Sequence, residues 1–328
     1  MKLTFKNVGQ GDSLLLEWKD QGKNKLGIID CNRFLGSNPI LNHLKGIPRC
    51  EIEFVILSHP HFDHFSGLAE LFDWSLKEKV YIKYFLHTSW LDPNYILTAL
   101  ETASAKTEAA RVFQYARRLR DEMGTKINFV DDNPDRIKYF NNGWGLIFLS
   151  PSSKEIDNYA KGIKTFSREE DFNNNPNGNW LSTIVKLYKD GTCVLLTSDT
   201  EKDSFTRLRT EKKVDERLVL IQVPHHGSKK NHNRIYWEQT SRNKGTPAVI
   251  STGENRYNHP SNTVVRGFRS LQFAVYRTDM ELPHAEGDLE LTYALDSVSE
   301  LVSQSTLLGN DLEFNLEALA DRSKKKSC

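Results

Sequence analysis

The stretch "VILSHPHFDHFSGL", residues 55–68, determines how the whole sequence is interpreted. An apolar run over residues 54–57 ends abruptly at His59, His61, Asp63 and His64, so three of the ten histidines lie within six residues. Imidazole nitrogens and carboxylate oxygens suit borderline transition metals such as zinc, manganese or iron. A turn just past a strand end can point several side chains into one hollow. Polar loop residues beside a core strand are the simpler alternative, but four potential ligands in six residues favour a metal site.

The composition is that of an ordinary globular protein. The 328 residues suffice for one large domain or two small ones, with 38% hydrophobic and 27% charged residues. A net charge of +1 gives no global attraction to nucleic acid or to an anionic membrane, so any such attraction is local. No apolar run approaches the roughly 18 residues that span a bilayer. The amino terminus lacks a signal-peptide core, and the four cysteines include no C-x-x-C pair. We therefore expect a cytoplasmic protein.

Strands mixed with helices in two similar halves predict an α/β fold with two sheets and helices outside them. We expect a single domain over residues 1–320, with a helical and loop insert at about 92–180 and a basic tail at 321–328. Within the insert, residues 92–124 have helical start and stop signals, whereas the polar, asparagine-rich residues 153–180 indicate a surface loop. Late in the chain, "DLELTY" (288–293) is expected to be a strand.

Three later segments have the same form as the first cluster, an apolar strand followed by a polar residue. They end in Asp199, in His225 and His226, and in His259. An aspartate after a strand is most often a turn residue or a helix cap, so one such segment alone would indicate little. Three of them predict a shared rim, and a two-metal site needs ligands that arrive from several parts of the chain.

Several stretches together resemble the metallo-β-lactamase fold hydrolases, and within them the soluble domain of ComEC-type DNA-uptake proteins. These stretches are "NVGQGDSLLLE", "IIDC", "LSHPHFDHFSGL", "NWLSTIVKLYKDGTCVLLTSDTE", "VPHHGSKKNH", "ISTGENRYNHPS" and "VYRTD". They run in the family's order from residue 7 to about 279. The resemblance implies an αβ/βα four-layer sandwich with two central mixed sheets.

The resemblance also implies two divalent metal ions, zinc or manganese. His59 and His61 would hold one ion, Asp63 and His64 the other, and Asp199 would bridge them.

The resemblance leaves alternatives open for the histidines later in the chain. His259 would be a ligand of the second ion or a phosphate contact. We expect His225 to be a ligand and His226 a proton donor or phosphate contact, although the sequence leaves the assignment of the pair open. His87 lies where many members of the fold have a further ligand, and a purely structural role for it is equally compatible.

The neighbourhood of the histidine pair indicates a phosphate substrate. Residues 225–234 contain Lys229, Lys230 and Arg234 and no acidic residue, although a solvated basic turn is the alternative. Ser228 offers a hydroxyl donor to an oxyanion, and Asn179 is a further candidate substrate contact. We therefore expect a metal-dependent phosphodiesterase or nuclease that uses a binuclear metal-bound hydroxide oriented by Asp63.

Two other functions stay open on the sequence alone. A hydrolase of a small ester, lactone or amide would use the same metals and would need an apolar pocket. A metallo-β-lactamase-like subunit of a larger antiviral or DNA-processing assembly would need partner proteins, which we would expect in the same operon. We expect no membrane partner, and the sequence leaves the oligomeric state undetermined.

Overall fold

The computed structural model describes residues 1–47, 50–88, 100, 102–134, 138–139, 143–162, 177–280, 302–305 and 311–325. The strands within these residues are β1 (Lys2–Phe5), β2 (Leu14–Asp20), β3 (Lys23–Ile29), β4 (Cys50–Leu57), β5 (Ile82–His87), β6 (Lys126–Phe129), β7 (Lys138–Tyr139), β8 (Gly145–Ser150), β9 (Ile184–Lys189), β10 (Thr192–Leu196), β11 (Arg217–Gln222), β12 (Pro247–Ile250), β13 (Ala274–Arg277), β14 (Val302–Ser305) and β15 (Asp311–Asn315). The helices are α1 (Pro39–Lys45), α2 (Phe62–Phe65), α3 (Leu68–Glu78), α4 (Ala103–Met123), α5 (Ser153–Gly162), α6 (Lys202–Thr210), α7 (Arg234–Gln239), α8 (Asn262–Ser270) and α9 (Leu316–Lys325).

The strands form two mixed sheets. The first has the order β14-β15-β1-β2-β3-β4-β5-β6 and the second the order β13-β12-β11-β10-β9-β8-β7. Strands β3 to β6 run parallel to one another, as do β10 to β13, whereas the remaining neighbours are antiparallel. Each half therefore contains a block of parallel strands whose carboxyl ends lie at one edge of its sheet.

The apolar run before the histidine cluster is continuous because β4 is buried on both faces. Phe54 and Ile56 belong to the cluster of side chains between the two sheets, whereas Val55 and Leu57 pack outward against α1, α3 and α4. Alternate residues of a strand face opposite sides, so the second half of β4, which is covered on both sides, has no polar positions.

Helices cover the second sheet in the same way, with apolar side chains of α6, α7 and α8 on its outer face. The layers are thus helix, sheet, sheet and helix, which confirms the predicted fold class.

The helix predicted within residues 92–124 is confirmed in its later part as α4. The Thr102 hydroxyl caps its start by accepting from the Ala105 N–H, and Gly124 ends it in a left-handed conformation with φ 76°. Residues 92–99 and 101 lie outside the described residues. The buried face of α4 includes Ala109, Val112 and Ala116, whose spacing of three and four residues places them on one side of the helix, facing α3.

The segment predicted as a surface loop, residues 153–180, contains helix α5 and a short 3₁₀ turn, Gly178–Leu181. The helix begins with a capping box, in which the Ser152 hydroxyl accepts from the Glu155 N–H and the Glu155 carboxylate accepts from the Ser152 N–H at 2.7 Å. Tyr159 anchors the helix because its ring is fully buried. Residues 163–176 of this segment are not described.

The end of the chain also differs from the expectation. Helix α9 continues to Lys325, into the predicted basic tail, because Leu316, Leu319 and Ala320 pack against the core between the sheets. The predicted strand at residues 288–293 lies outside the described residues. Among the helices that the structure describes, none is both long and apolar enough to cross a membrane.

A buried ion pair joins the last strand to the amino-terminal loop. Asp311 of β15 accepts from the Lys6 ammonium at 2.6 Å, and both side chains are at most 3% exposed. The second carboxylate oxygen of Asp311 accepts from the Asn7 N–H at 2.7 Å. Asp311 therefore fixes the start of loop 7–13, which leads to the carboxyl ends of the parallel strands.

We predict that Asp311→Ala destabilises the protein strongly, because it leaves the Lys6 ammonium buried without a counter-charge. The expected loss in the free energy of unfolding is about 3–5 kcal/mol, measured by urea denaturation. Lys23→Ala removes an exposed ion pair with Glu51 and is the control expected to change little. An unchanged unfolding midpoint in Asp311→Ala would contradict this account.

Candidate metal centre

The polar side chains that follow the parallel strands meet between the two sheets. Asp30 follows β3, the His59 cluster follows β4, Asp199 follows β10, and the His225–His226 pair follows β11. The carboxyl ends of parallel strands are where α/β proteins place ligands. The structure therefore brings together the first histidine cluster, the aspartate and the histidine pair, as the sequence predicts.

The Asp199 carboxylate lies at the centre of this cluster and faces four imidazoles. Its Oδ2 is 3.8 Å from Nε2 of His59 and 3.5 Å from Nε2 of His225. Its Oδ1 is 3.6 Å from Nε2 of His64 and 3.4 Å from Nε2 of His226. Each oxygen of one carboxylate thus faces its own pair of imidazole nitrogens.

One further potential ligand lies beside each pair of imidazoles. Nδ1 of His61 lies 3.0 Å from Nε2 of His59, and Oδ2 of Asp63 lies 3.7 Å from Nε2 of His226. The donors therefore form two sets that share Asp199. The first set comprises His59, His61, His225 and Asp199 Oδ2, and the second comprises Asp63, His64, His226 and Asp199 Oδ1.

The second set has the chemistry of an ion site. Nε2 of His64, Nε2 of His226 and Oδ1 of Asp199 are buried and have no hydrogen-bond partner within the described part of the chain. Buried polar atoms without partners cost free energy, so three of them converging on one point indicate a missing partner. Imidazole and carboxylate donors fit a divalent transition metal such as zinc or manganese.

Hydrogen bonds to the other ring nitrogens orient the histidines of the second set. Nδ1 of His64 donates to the Asp30 carboxylate at 2.7 Å, and Nδ1 of His226 donates to the Ser251 carbonyl at 2.8 Å. A proton on Nδ1 leaves the lone pair on Nε2, the atom that faces Asp199. The rings are therefore held in the tautomer that a metal requires.

The same Asp30 carboxylate also supports the first set through two hydroxyls. Ser58 donates to Asp30 at 2.6 Å, Ser198 donates to Ser58 at 2.7 Å, and Nδ1 of His59 lies 3.2 Å from the Ser198 hydroxyl. This buried chain directs Nε2 of His59 toward Asp199. Asp30 was not predicted as a site residue. Its segment, "LGIID", nevertheless has the same form as the predicted segments, an apolar strand followed by a polar residue.

The charges of the cluster compensate one another. Burial alone would raise the pKa of Asp199, but His225, His226 and His64 hold that pKa well below its usual range. Burial alone would lower the pKa of His64, but the Asp30 and Asp199 carboxylates raise that pKa well above its usual range. The buried histidines and carboxylates of the cluster therefore stabilise one another.

The glycine-rich loop 7–13 packs against the turn that carries Asp63. Gly11 has φ +127°, and a Cβ there would come 2.3 Å from the Asp63 carbonyl oxygen, so only glycine fits. The next residue, Asp12, donates its N–H to that carbonyl oxygen at 3.2 Å and accepts from Gln222 at 2.8 Å. Asp12 lies beside His64 and is a second acidic residue of the site that was not singled out from the sequence.

A cavity of about 460 Å³ opens onto the donors. Its lining residues are Gln10, His61, Phe62, Asp63, Leu100, Thr102, Ala105, Asp199, His225, Arg256 and Tyr257. Leu100, Thr102 and Ala105 belong to the predicted insert, so this part of the insert forms a wall of the site. The 3₁₀ turn lies against His61, since a Cβ at Gly178 would come 2.8 Å from that ring.

Several predicted substrate contacts lie elsewhere. Lys229 and Lys230 are exposed, Ser228 is buried, and none of the three is among the described lining residues. Asn179 is behind the site, with its amide nitrogen 3.3 Å from Nδ1 of His225. The cation in the lining is Arg256, which was not predicted as a site residue because, in its segment, only His259 was considered.

His87 and His259 belong to neither of the two donor sets around Asp199 described above. The His87 ring packs against Phe85 and Phe113, with centroids 5.3 and 5.4 Å away, which favours the structural interpretation. The His259 ring contacts the His225 ring edge-on at 5.5 Å. His259 therefore lies beside the first donor set, in contact with His225.

The first third of the chain matches a known protein family. A model of the metallo-β-lactamase superfamily matches residues 7–101, which include loop 7–13 and the His59–His64 cluster. The two mixed sheets with helices outside them are consistent with the metallo-β-lactamase fold. This superfamily includes metal-dependent hydrolases, and its members bind divalent metals.

Several solved structures are similar at low sequence identity. The fold protein YhfI from Bacillus subtilis is 11% identical, with 85% of this chain and 98% of that chain covered and a TM-score of 0.44. Zn²⁺-bound PqqB from Methylobacterium extorquens is 10% identical, with coverages of 87% and 100% and a TM-score of 0.47. A diphosphatase of the PhnP family is 12% identical, with coverages of 86% and 98% and a TM-score of 0.38. No curated protein matches the chain by sequence.

We predict that Asp30→Ala weakens Zn²⁺ binding by roughly 10- to 100-fold, because ring orientation in both sets depends on this carboxylate. Affinity is measured by competition with a chromogenic chelator. Asp73→Ala, which removes an aspartate paired with Lys77 on the surface, is the matched control. Equal affinities of the two variants would show that Asp30 does not orient the ligands.

Proposed function

We propose that the protein is a metal-dependent phosphodiesterase, most simply a nuclease. The observation that carries this proposal is the Asp199 carboxylate, whose two oxygens each face a separate set of donors. When bound to these sets, two divalent ions would activate a water molecule and neutralise charge on the attacked phosphate.

The two sets divide the roles of the later histidines. His226 is 2% exposed and does not line the cavity, so it is badly placed to donate a proton to a leaving group. We therefore assign His226 to the second set as a ligand, in place of the proton-donor role expected from the sequence. His225 lines the cavity and belongs to the first set, and Asn179 steadies its ring through Nδ1.

Asp63 and Arg256 face the substrate. The Asp63 side chain is about one-third exposed and lines the cavity, while its Oδ2 points toward His226. It can therefore hold an ion and also orient the attacking water. Arg256 supplies a permanent positive charge in the lining, and a guanidinium binds phosphate oxygens through charge-assisted hydrogen bonds.

A small ester or lactone is the second candidate substrate. The cavity wall formed by Phe62, Leu100 and Ala105 is apolar, as such a substrate would need. Arg256 favours an anionic substrate, and the resemblance to ComEC-type proteins favours nucleic acid. We therefore also propose that the chain resembles the ComEC-type proteins and that it binds a nucleic acid.

We predict that Asp63→Asn and Asp199→Asn each lower phosphodiester hydrolysis by more than about 100-fold, since each removes a direct ligand and the loss of a supporting group alone costs up to that much. The assay uses bis-p-nitrophenyl phosphate and labelled single- and double-stranded DNA and RNA with added manganese, zinc or magnesium. Asp203→Asn, an exposed aspartate on α6, is the control.

The outcomes separate the candidate functions. Metal-dependent phosphodiester cleavage that is lost in both variants and kept in the control supports the proposal. Hydrolysis of lactones or carboxylic esters without any phosphodiester cleavage by the metal-loaded protein would contradict it and favour the second candidate.

A further inference from the structure

The mouth of the cavity presents aromatic rings to solvent. Six large hydrophobic side chains are exposed among the described residues, and two of them, Phe62 and Tyr257, line the cavity. Phe62 is 45% exposed and Tyr257 is 54% exposed. Exposed aromatic rings that gather at one cavity indicate a binding surface.

The Tyr257 ring is held by groups on its own side of the cavity. It stacks on the His259 ring at a centroid distance of 5.9 Å and an angle of 29°, and His259 in turn contacts His225 of the first donor set. The Arg256 guanidinium lies 5.2 Å from the Tyr257 ring centre and donates to its hydroxyl at 3.1 Å. The planar side chains thus form a row from the first donor set to the mouth of the cavity, in the order His225, His259, Tyr257 and Arg256.

Phe62 supplies a ring from the other half of the fold. It lies on α2, between His61 and Asp63, and its ring packs edge-on against the buried Phe65 at 5.7 Å. Tyr257 follows β12 of the second sheet. The cavity therefore has an anchored aromatic ring from each half of the fold, and a guanidinium beside one of them.

From this arrangement we infer that the cavity mouth is a nucleobase subsite, formed by Tyr257, Arg256 and Phe62, which takes an unpaired base next to the phosphate that is cleaved. This inference rests on the proposed phosphodiesterase function. Aromatic and guanidinium planes are the surfaces on which unpaired bases stack. The substrate class is then a nucleotide phosphodiester, either a small one or a single strand.

Paired bases do not fit such a subsite. A base in a duplex is covered on both faces by its neighbours and presents only its edge in the grooves, so it cannot stack on Tyr257. The cavity, at about 460 Å³, is within the range of roughly 300–1,000 Å³ typical of small-molecule sites. Single nucleotides and the ends of single strands are therefore the forms that the mouth accepts.

The test compares two phosphodiesters that share one leaving group. Thymidine 5′-(p-nitrophenyl phosphate) carries a base, and methyl p-nitrophenyl phosphate does not. We expect the metal-loaded protein to have a higher kcat/KM for the first. Tyr257→Ala is expected to lower the ratio of the two kcat/KM values by about 5- to 150-fold, the equivalent of ~1–3 kcal/mol per stacked base.

Matched variants separate stacking from other effects. Tyr257→Phe keeps the ring and is expected to keep the ratio, whereas Tyr257→Leu keeps apolar bulk and is expected to lower it. Tyr81→Ala removes an exposed tyrosine outside the cavity lining and is expected to leave the ratio unchanged. A ratio that falls equally in Tyr81→Ala would overturn the inference.

Three further substrates distinguish the source of the base, namely a dinucleotide, a single-stranded oligonucleotide and a blunt duplex of the same sequence. We expect the first two to be cleaved faster than the duplex, and equal rates on the duplex would overturn the inference. Hydrolysis of both nitrophenyl esters at equal kcat/KM, unchanged in Tyr257→Ala, would overturn the subsite and leave the phosphodiesterase intact. Hydrolysis of neither would overturn both.

Discussion

The buried charge of Asp199 is the constraint on which the rest of the site depends. A carboxylate that is 2% exposed is costly unless opposite charges or donors surround it. Two histidines follow β4 in the first sheet, and two follow β11 in the second, so the compensation comes from both halves of the fold. The buried carboxylate is therefore tolerated only if the two sheets pack in one fixed relative orientation. The same orientation creates the two donor sets that share Asp199.

The surrounding structure keeps the donors in place. Asp30 holds one histidine of each set, directly or through Ser58 and Ser198. Loop 7–13 packs against the backbone of Asp63, and the Lys6–Asp311 pair ties the start of that loop to the last strand. The supports of the site thus reach from the loop after β1 to β15.

Much of the site could be predicted from strand ends, because an apolar run followed by His or Asp marks the carboxyl edge of a buried strand. The roles of His225 and His226 could not, since they depend on backbone conformation. Both residues have positive φ, 51° and 52°, and these left-handed conformations let adjacent side chains reach different oxygens of Asp199. Arg256 and Tyr257 come from a loop without periodicity, so only its long-range packing brings them to the cavity. Helix α5 was missed because an asparagine-rich composition outweighed its capping box.

The most direct test of the central claim is a crystal structure of the protein loaded with Mn²⁺, with the ions located by anomalous scattering. We expect two peaks roughly 3.5–4 Å apart, one beside each oxygen of Asp199. One peak should lie against His59, His61 and His225, and the other against Asp63, His64 and His226. A single peak, or ions bound elsewhere with Asp199 left without a metal contact, would contradict the account.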